Sequence, residues 1–298
     1  MAESAKSVWP WERERPPLVP VVRLMGTIGP DGNFDHNLNI ASVGGLLEAA
    51  FSVRRAAAVA LVINSPGGTA AQSALLYRRI VALKKEKQLP VLAFVEDVAA
   101  SGGYMIACAA DEIFADPLSI VGSIGVRTGG FGFHEAMQRL GVERRIYTAG
   151  GNKARLDPFM PQDPADVDWV NDHLREAHRL FIDLVKDSRG ETLKKAGDTD
   201  LFTGEVWHGE PAMALGLIDG IGDVRSILKD RFGEAVRMRM LSRRRPWWEN
   251  MLPFSGRRNG PSVDLPVGSA QSAAITLLDA DAVARTLEKR ALWARYGL

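Results

Sequence analysis

Ser101 stands in Asp97-Val98-Ala99-Ala100-Ser101-Gly102-Gly103-Tyr104, between two apolar runs of different character. Before it, Val91-Leu92-Ala93-Phe94-Val95 is short and β-rich, the pattern of a buried strand. After it, Met105-Ile106-Ala107-Cys108-Ala109-Ala110 is small and apolar and reads as a buried helix. A serine at a strand-to-helix junction exposes its hydroxyl beside free helix N–H groups, where the negative charge that develops in acyl transfer is stabilised. For the octet taken alone, a plain Ala-Ser-Gly-Gly turn is the competing reading.

A serine hydroxyl is a weak nucleophile until a base takes its proton. His134 is one downstream candidate, at the head of a helical pattern, with adjacent Glu135 as its nearest carboxylate. Lys153 is the other; it follows Gly150-Gly151-Asn152 and precedes the partly apolar Ala154–Phe159. A lysine acts as a base only when its amine is neutral, and an ordinary pKa near 10.4 makes neutrality at pH 7 cost about 4.6 kcal/mol. Desolvation is documented to supply shifts of about 3 to 5 units, so the expectation is that Lys153 is drawn into a low-dielectric site. Each of these residues is also open to a bland reading as a solvated surface group. The oxyanion needs donors as well. Asn64-Ser65-Pro66-Gly67-Gly68 ends a second apolar run, and Gly68 permits close backbone approach. Its N–H and that of Gly102 are the candidate oxyanion pair.

The elements that must hold these residues follow from periodicity. Strands are expected at 18–28, 57–63, 91–95, 112–115 and 142–147, with an extended, Gly-punctuated piece at 121–126. Helical spacing covers 40–53, 70–87, 133–140, 209–215 and 223–232, with Thr69 as a capping residue for the second. Asp163-Pro164 opens a long helix that Gly190 stops. Strands alternating with helices at this spacing predict an α/β fold, a core of mainly parallel strands with helices on both faces. An irregular arm (1–17) precedes that domain (18–241), and a C-terminal extension (242–298) ends in a helix at about 271–295.

Composition removes several function classes. The 298 residues are 46% hydrophobic and 24% charged with net charge +1, so no global charge argues for nucleic acid. Cys108 is the sole cysteine, in an apolar run, and the five histidines show no metal-ligand spacing. No metal or cofactor is expected. No segment reaches the ~18 consecutive apolar residues of a membrane span, and the N-terminus lacks a signal-peptide core, so a cytoplasmic location is expected. The charge is uneven, though. Between 236 and 258 stand Arg237, Arg239, Arg243, Arg244, Arg245, Arg257 and Arg258 against Glu249, interleaved with Trp247, Trp248 and Phe254. Segment 243–258 is suited to peripheral docking on an anionic membrane face, and equally to packing of its tryptophans on the parent domain or a sister subunit.

Taken together, Ile63–Gly68, Ala100–Tyr104, Gly122-Ser123-Ile124-Gly125-Val126, the Lys153 segment ending Asp157-Pro158-Phe159, and Thr203-Gly204 with Ala214–Asp219 resemble the signal peptide peptidase A family. These are serine–lysine peptidases of the ClpP/crotonase superfamily, and the likeness covers about residues 18–232. Each motif is weak singly; their order is the signal. The resemblance implies a ClpP/crotonase-like core, Ser101 as nucleophile, Lys153 as general base, Gly68 and Gly102 as oxyanion donors, and Ser123 as the group orienting the lysine amine. It also implies a homo-oligomeric ring in which Lys153 reaches Ser101 of a neighbour, and cleavage of extended apolar segments such as residual signal peptides. The family is commonly tethered by an N-terminal transmembrane helix, which this sequence does not show. Two rival readings stand beside it. A crotonase-like acyl-CoA enzyme would carry acidic groups near the oxyanion turn, and a non-catalytic ring scaffold would keep the assembly without turnover.

Overall fold

The computed structural model describes residues 15–30, 37–242 and 291–296. The irregular arm before residue 15, the basic-aromatic segment 243–258 and most of the terminal helix expected at 271–295 lie outside the described residues.

Three strands form the centre: β1 (Leu18–Met25), β2 (Val59–Ser65) and β3 (Val91–Ala100). Their near-continuous Val, Leu, Ile and Ala content follows from burial on both faces, as parallel sheets require. β4 (Glu112–Ala115), β5 (Ile120–Gly122), β6 (Val206–His208), β7 (Gly220–Ile221) and β8 (Arg237–Leu241) complete the sheet. Its order is β6-β5-β3-β2-β1-β8, with β4 joining β3 to β7. All pairings are parallel except β5 with β6.

One face packs Leu24, Leu61, Ile63, Val95 and Ile113 against α1 (Ile40–Phe51), α2 (Ala70–Lys87), α3 (Gly102–Ala107) and the inner half of α5 (Pro164–Arg189). α4 (His134–Arg139) and α6 (Gly209–Ala214) are short, and α4 buries none of its residues. The opposite face carries Val21, Ala60, Val62, Phe94 and Phe114 beneath Leu228 of α7 (Val224–Phe232). Near the carboxyl end of β3 that second face is covered by Trp293 and Tyr296, which pack on Val98, Ala100 and Ile120. The mainly parallel α/β sheet with flanking helices is the architecture that the sequence pattern predicts.

Four local expectations change. The strand expected at 91–95 runs on to Ala100, because Val98–Ala100 pair with Ile120–Gly122 of β5. Residues 142–147 form no strand among the described residues; Val142, Ile146 and Tyr147 are exposed and no ladder partner lies beside them. β8 arises where no strand was expected, since its Arg-Met-Arg-Met-Leu pattern has too little apolar content to signal one. Thr69 occupies the N-cap of α2 but its side chain makes no capping bond. Asp163 does cap α5, accepting from the Ala165 N–H, and Gly190 ends that helix at φ +47°.

Candidate active site

Ser101 has φ +51° and ψ −119°, a backbone region that costs a non-glycine residue about 1 to 3 kcal/mol. It sits between the last residue of β3 and the first of α3, and its N–H donates to the Gly122 carbonyl at 2.8 Å. The sharp strand-to-helix turn lifts the half-buried side chain out of the sheet, the device by which a nucleophile elbow presents its hydroxyl.

The turn Ser65–Gly68 lies directly against it. A Cβ on Gly67 would fall 2.8 Å from the Ala100 carbonyl oxygen and the Gly102 nitrogen and 2.9 Å from the Ser101 Cβ, while Gly67 itself has φ +95°. A Cβ on Gly68 would fall 1.9 Å from the Ile28 oxygen. Only glycine fits either place. Ile28 holds the turn on both sides, donating to the Gly67 carbonyl at 2.8 Å and accepting from Thr69 at 2.9 Å. Among the described residues no acceptor takes the N–H of Gly68 or of Gly102. The Gly102 amide opens α3, where no intrahelical acceptor exists.

Ser123 is the neighbour of Ser101 across the sheet, because Ala100 is in register with Gly122. It is buried and also has positive φ, +53°. Its N–H donates to the Glu205 carbonyl, its own carbonyl accepts from Gly125, and the His178 ring of α5 bonds the adjacent Ile124 carbonyl at 3.1 Å. Among the described residues nothing bonds the Ser123 hydroxyl. Trp207 packs against Gly122, its ring 2.7 Å from where a Cβ would stand.

Lys153 stands apart from this cluster. It is exposed, in a turn closed by its own N–H to the Gly150 carbonyl, on an arm of residues 127–163. The arm folds on itself and on the outer half of α5. Phe133 stacks on Phe159 at 5.6 Å, Arg144 pairs with Asp157, and Arg155 pairs with Asp166 while lying over Trp169. Phe131 is 77% exposed, Leu140 77% and Tyr147 89%. Among the described residues no hydrogen bond or ion pair joins Lys153 to Ser101 or Ser123. His134 lies on the same arm, equally unjoined to Ser101.

Beneath Ser101 the core is polar but closed. Tyr104 of α3 donates its hydroxyl to the Leu217 carbonyl at 2.7 Å. Arg189, the last residue of α5, forks onto both oxygens of Asp219 at 2.9 Å and also reaches the Gly216 carbonyl. Burial pushes the Cys108 thiol up to about 12, which leaves it a core residue without nucleophilic character.

Sequence reasoning named Ser101, Lys153, Ser123, Gly68 and Gly102; the fold sets Ser101, Ser123, Gly102 and the Gly67-Gly68 turn side by side and leaves Lys153 apart. It passed over Asn64, whose side-chain N–H donates to the Asp97 carboxylate at 2.5 Å, and over His178 and Trp207, which brace the Ser123 strand. Asn64 and Asp97 lie inside the quoted motifs, so their proximity to Ser101 was a usable signal. The other two are long-range partners that periodicity does not reveal.

The model of peptidase family S49 matches residues 83–234, half of the chain. "Na(+)/H(+) antiporter NhaA" of Brucella abortus is 48% identical over 94% of this chain, a stretch that makes up 37% of that protein. "Putative protease MJ0651" of Methanocaldococcus jannaschii is 36% identical over 57% of this chain and 54% of its own length. "Serine protease SPPA, chloroplastic" of Arabidopsis thaliana is 35% identical over 59% of this chain and 26% of its own length. This chain therefore spans only about half, or less, of each relative. Among the described residues no helix is long and apolar enough to cross a membrane.

Proposed function

The chain belongs to peptidase family S49, and from that premise we propose that it hydrolyses peptide bonds with Ser101 as nucleophile and Lys153 as general base. The observation that carries the reading is the strained backbone of Ser101 against the Gly67-Gly68 turn. Strain of this kind persists only where the surroundings enforce it, and it concentrates at functional positions.

The Lys153 amine takes the proton of the Ser101 hydroxyl as Oγ attacks the scissile carbonyl. The carbonyl oxygen becomes an oxyanion held by the N–H groups of Gly68 and Gly102. Collapse of the intermediate breaks the C–N bond, and the leaving amine takes its proton from the lysine. Water, deprotonated by the same amine, then hydrolyses the acyl-serine ester. Ser123 accepts a hydrogen bond from the amine and fixes its direction.

The base acts on a second copy of the chain. Two observations support this: Lys153 is exposed and unjoined to its own Ser101, and the arm that carries it displays Phe131, Leu140 and Tyr147 to solvent. Exposed apolar surface of this kind marks an interaction site. The strand-patterned but unpaired 142–147 segment lies in the same arm. The substrates are extended apolar segments such as residual signal peptides, bound without metal or cofactor.

The test is complementation. Ser101→Ala and Lys153→Ala proteins, each inactive on a chromogenic apolar peptide ester, regain activity when mixed and allowed to exchange subunits. Activity retained by Lys153→Ala alone overturns the lysine base, and absence of recovery on mixing overturns the shared site.

A further inference from the structure

Asn64 is the penultimate residue of β2, just before the glycine turn, and Asp97 lies in β3 just before Ser101. Between them the two strands fall out of step. Ile63 faces Val95, but the next paired residue, Ser65, faces Ala99, so β3 carries extra chain directly opposite Asn64. A bulge of this kind re-aims the chain beyond it and leaves the local ladder unpaired. Beyond the bulge the pairing resumes at Ser65 and Ala99, and Ile28, just past β1, holds the turn; at the interruption itself a side-chain tie takes the place of the missing ladder bonds.

We infer that Asn64 and Asp97 form a positioning clamp that holds the oxyanion-bearing turn in register with Ser101. The inference rests on the reading of Ser101 as the nucleophile. Asn64 Nδ2 donates to Asp97 Oδ2, which spans the bulge from strand to strand. The Asn64 main-chain carbonyl accepts from the Gly26 N–H at 2.9 Å, so the same residue is tied to the end of β1 as well. Its amide has one workable orientation, because the reverse would set Oδ1 against a carboxylate, acceptor to acceptor. Asn64 is 6% exposed, and among the described residues its Oδ1 has no partner.

The stake is the fit downstream. Gly67 touches Ser101 so closely that a Cβ would collide with it, so a slip in the turn moves the Gly68 N–H relative to the serine hydroxyl. Oxyanion donors act only at hydrogen-bond distance from the developing charge. A misplacement of about 1 Å costs on the order of 10²-fold in rate. Neither clamp residue touches the reacting atoms; both act through the turn.

The experiment compares the full chain with Asp97→Ala, Asp97→Asn, Asn64→Ala and Ser101→Ala, reading kcat and KM on a chromogenic apolar peptide ester alongside thermal unfolding. Asp97 is exposed, so its variants are expected to fold. Asp97→Ala and Asn64→Ala are expected to lower kcat by about 10-fold to 10²-fold with KM little changed. Asp97→Asn keeps an oxygen for Asn64 Nδ2 and is expected to retain most of kcat. Wild-type kcat in Asp97→Ala overturns the clamp, and so does an equal loss in Asp97→Asn. Activity in Ser101→Ala overturns the nucleophile assignment instead, so the two failures are distinguishable.

Discussion

Ser101 and Ser123 immediately follow two neighbouring parallel strands, and both have positive φ, +51° and +53°. The Ser101 N–H bonds the carbonyl of Gly122, so the two serines are locked side by side by main-chain geometry rather than by their own side chains. Among the described residues no hydrogen bond takes either hydroxyl.

Strain at Ser101 makes stability and activity separable. Ser101→Gly accepts the +51° backbone freely, so it is expected to raise unfolding stability by about 1 kcal/mol while kcat/KM falls by at least about 10⁴-fold. Ser101→Ala loses the same activity without that gain. Urea denaturation of both variants, with the ester assay, checks the pair.

Ser123→Ala removes the group proposed to orient the lysine amine but leaves nucleophile and base. The expected loss in kcat is about 10-fold to 10²-fold, smaller than the full contribution of a general base. A larger effect on KM than on kcat would show that Ser123 serves binding instead.

Gly68→Ala places a methyl 1.9 Å from the Ile28 oxygen at φ +152°. Backbone cannot yield there as a flexible side chain would, so the expected cost is about 3 kcal/mol or more. The denaturation midpoint measures it, and a wild-type midpoint would mean that the turn is free to move.

Alkaline pH is expected to destabilise the fold through the pair beneath Ser101. Burial raises Cys108 to about 12, and burial, with Cys108 beside it, raises Tyr104 well above its ordinary range. An unfolded thiol ionises near about 8.5, so this stabilisation is whole below that pH and is lost as pH climbs toward the folded values. Unfolding free energies measured between about pH 8 and 11 should fall with rising pH, less steeply in Cys108→Ala. Reaction of Cys108 with a thiol reagent should follow unfolding.

Arg189→Met leaves the partly buried Asp219 carboxylate with the Ile113 N–H but without its cation, and the expected cost is about 3 kcal/mol. Replacing both residues with apolar ones of similar size should recover much of the loss. Thermal unfolding of the single and double variants tests the comparison.

Much of the fold was legible because its signals are local. Val59–Ser65 and Val91–Val95 are almost wholly apolar, and Asp163-Pro164 with Gly190 brackets α5 by capping chemistry alone. Ser101 and the Gly67-Gly68 turn were legible too, since serine before paired glycines after a strand is a short-range pattern. What escaped depends on partners far along the chain. β8 becomes a strand because Leu18–Val22 offer it an edge, and residues 142–147 fail to become one because no edge lies beside them. Lys153 illustrates the same limit. Its sequence suggested a desolvated amine, but within one protomer the segment leans on α5 and stays exposed, because burial depends on what else packs there.

The grip of Arg189 on Asp219 has a mechanical meaning. α5 is 26 residues long, about 39 Å at 1.5 Å per residue. Its inner end is clamped in the core and its outer end carries the arm. A tilt of about 5° at the clamp sweeps the far end through roughly 3 Å, more than the tolerance of a hydrogen bond. The helix is thus a lever whose fulcrum is that ion pair together with the Gly216 contact and the core packing of Phe181 and Val185. How accurately the 127–163 arm is placed is decided at the far end of that lever.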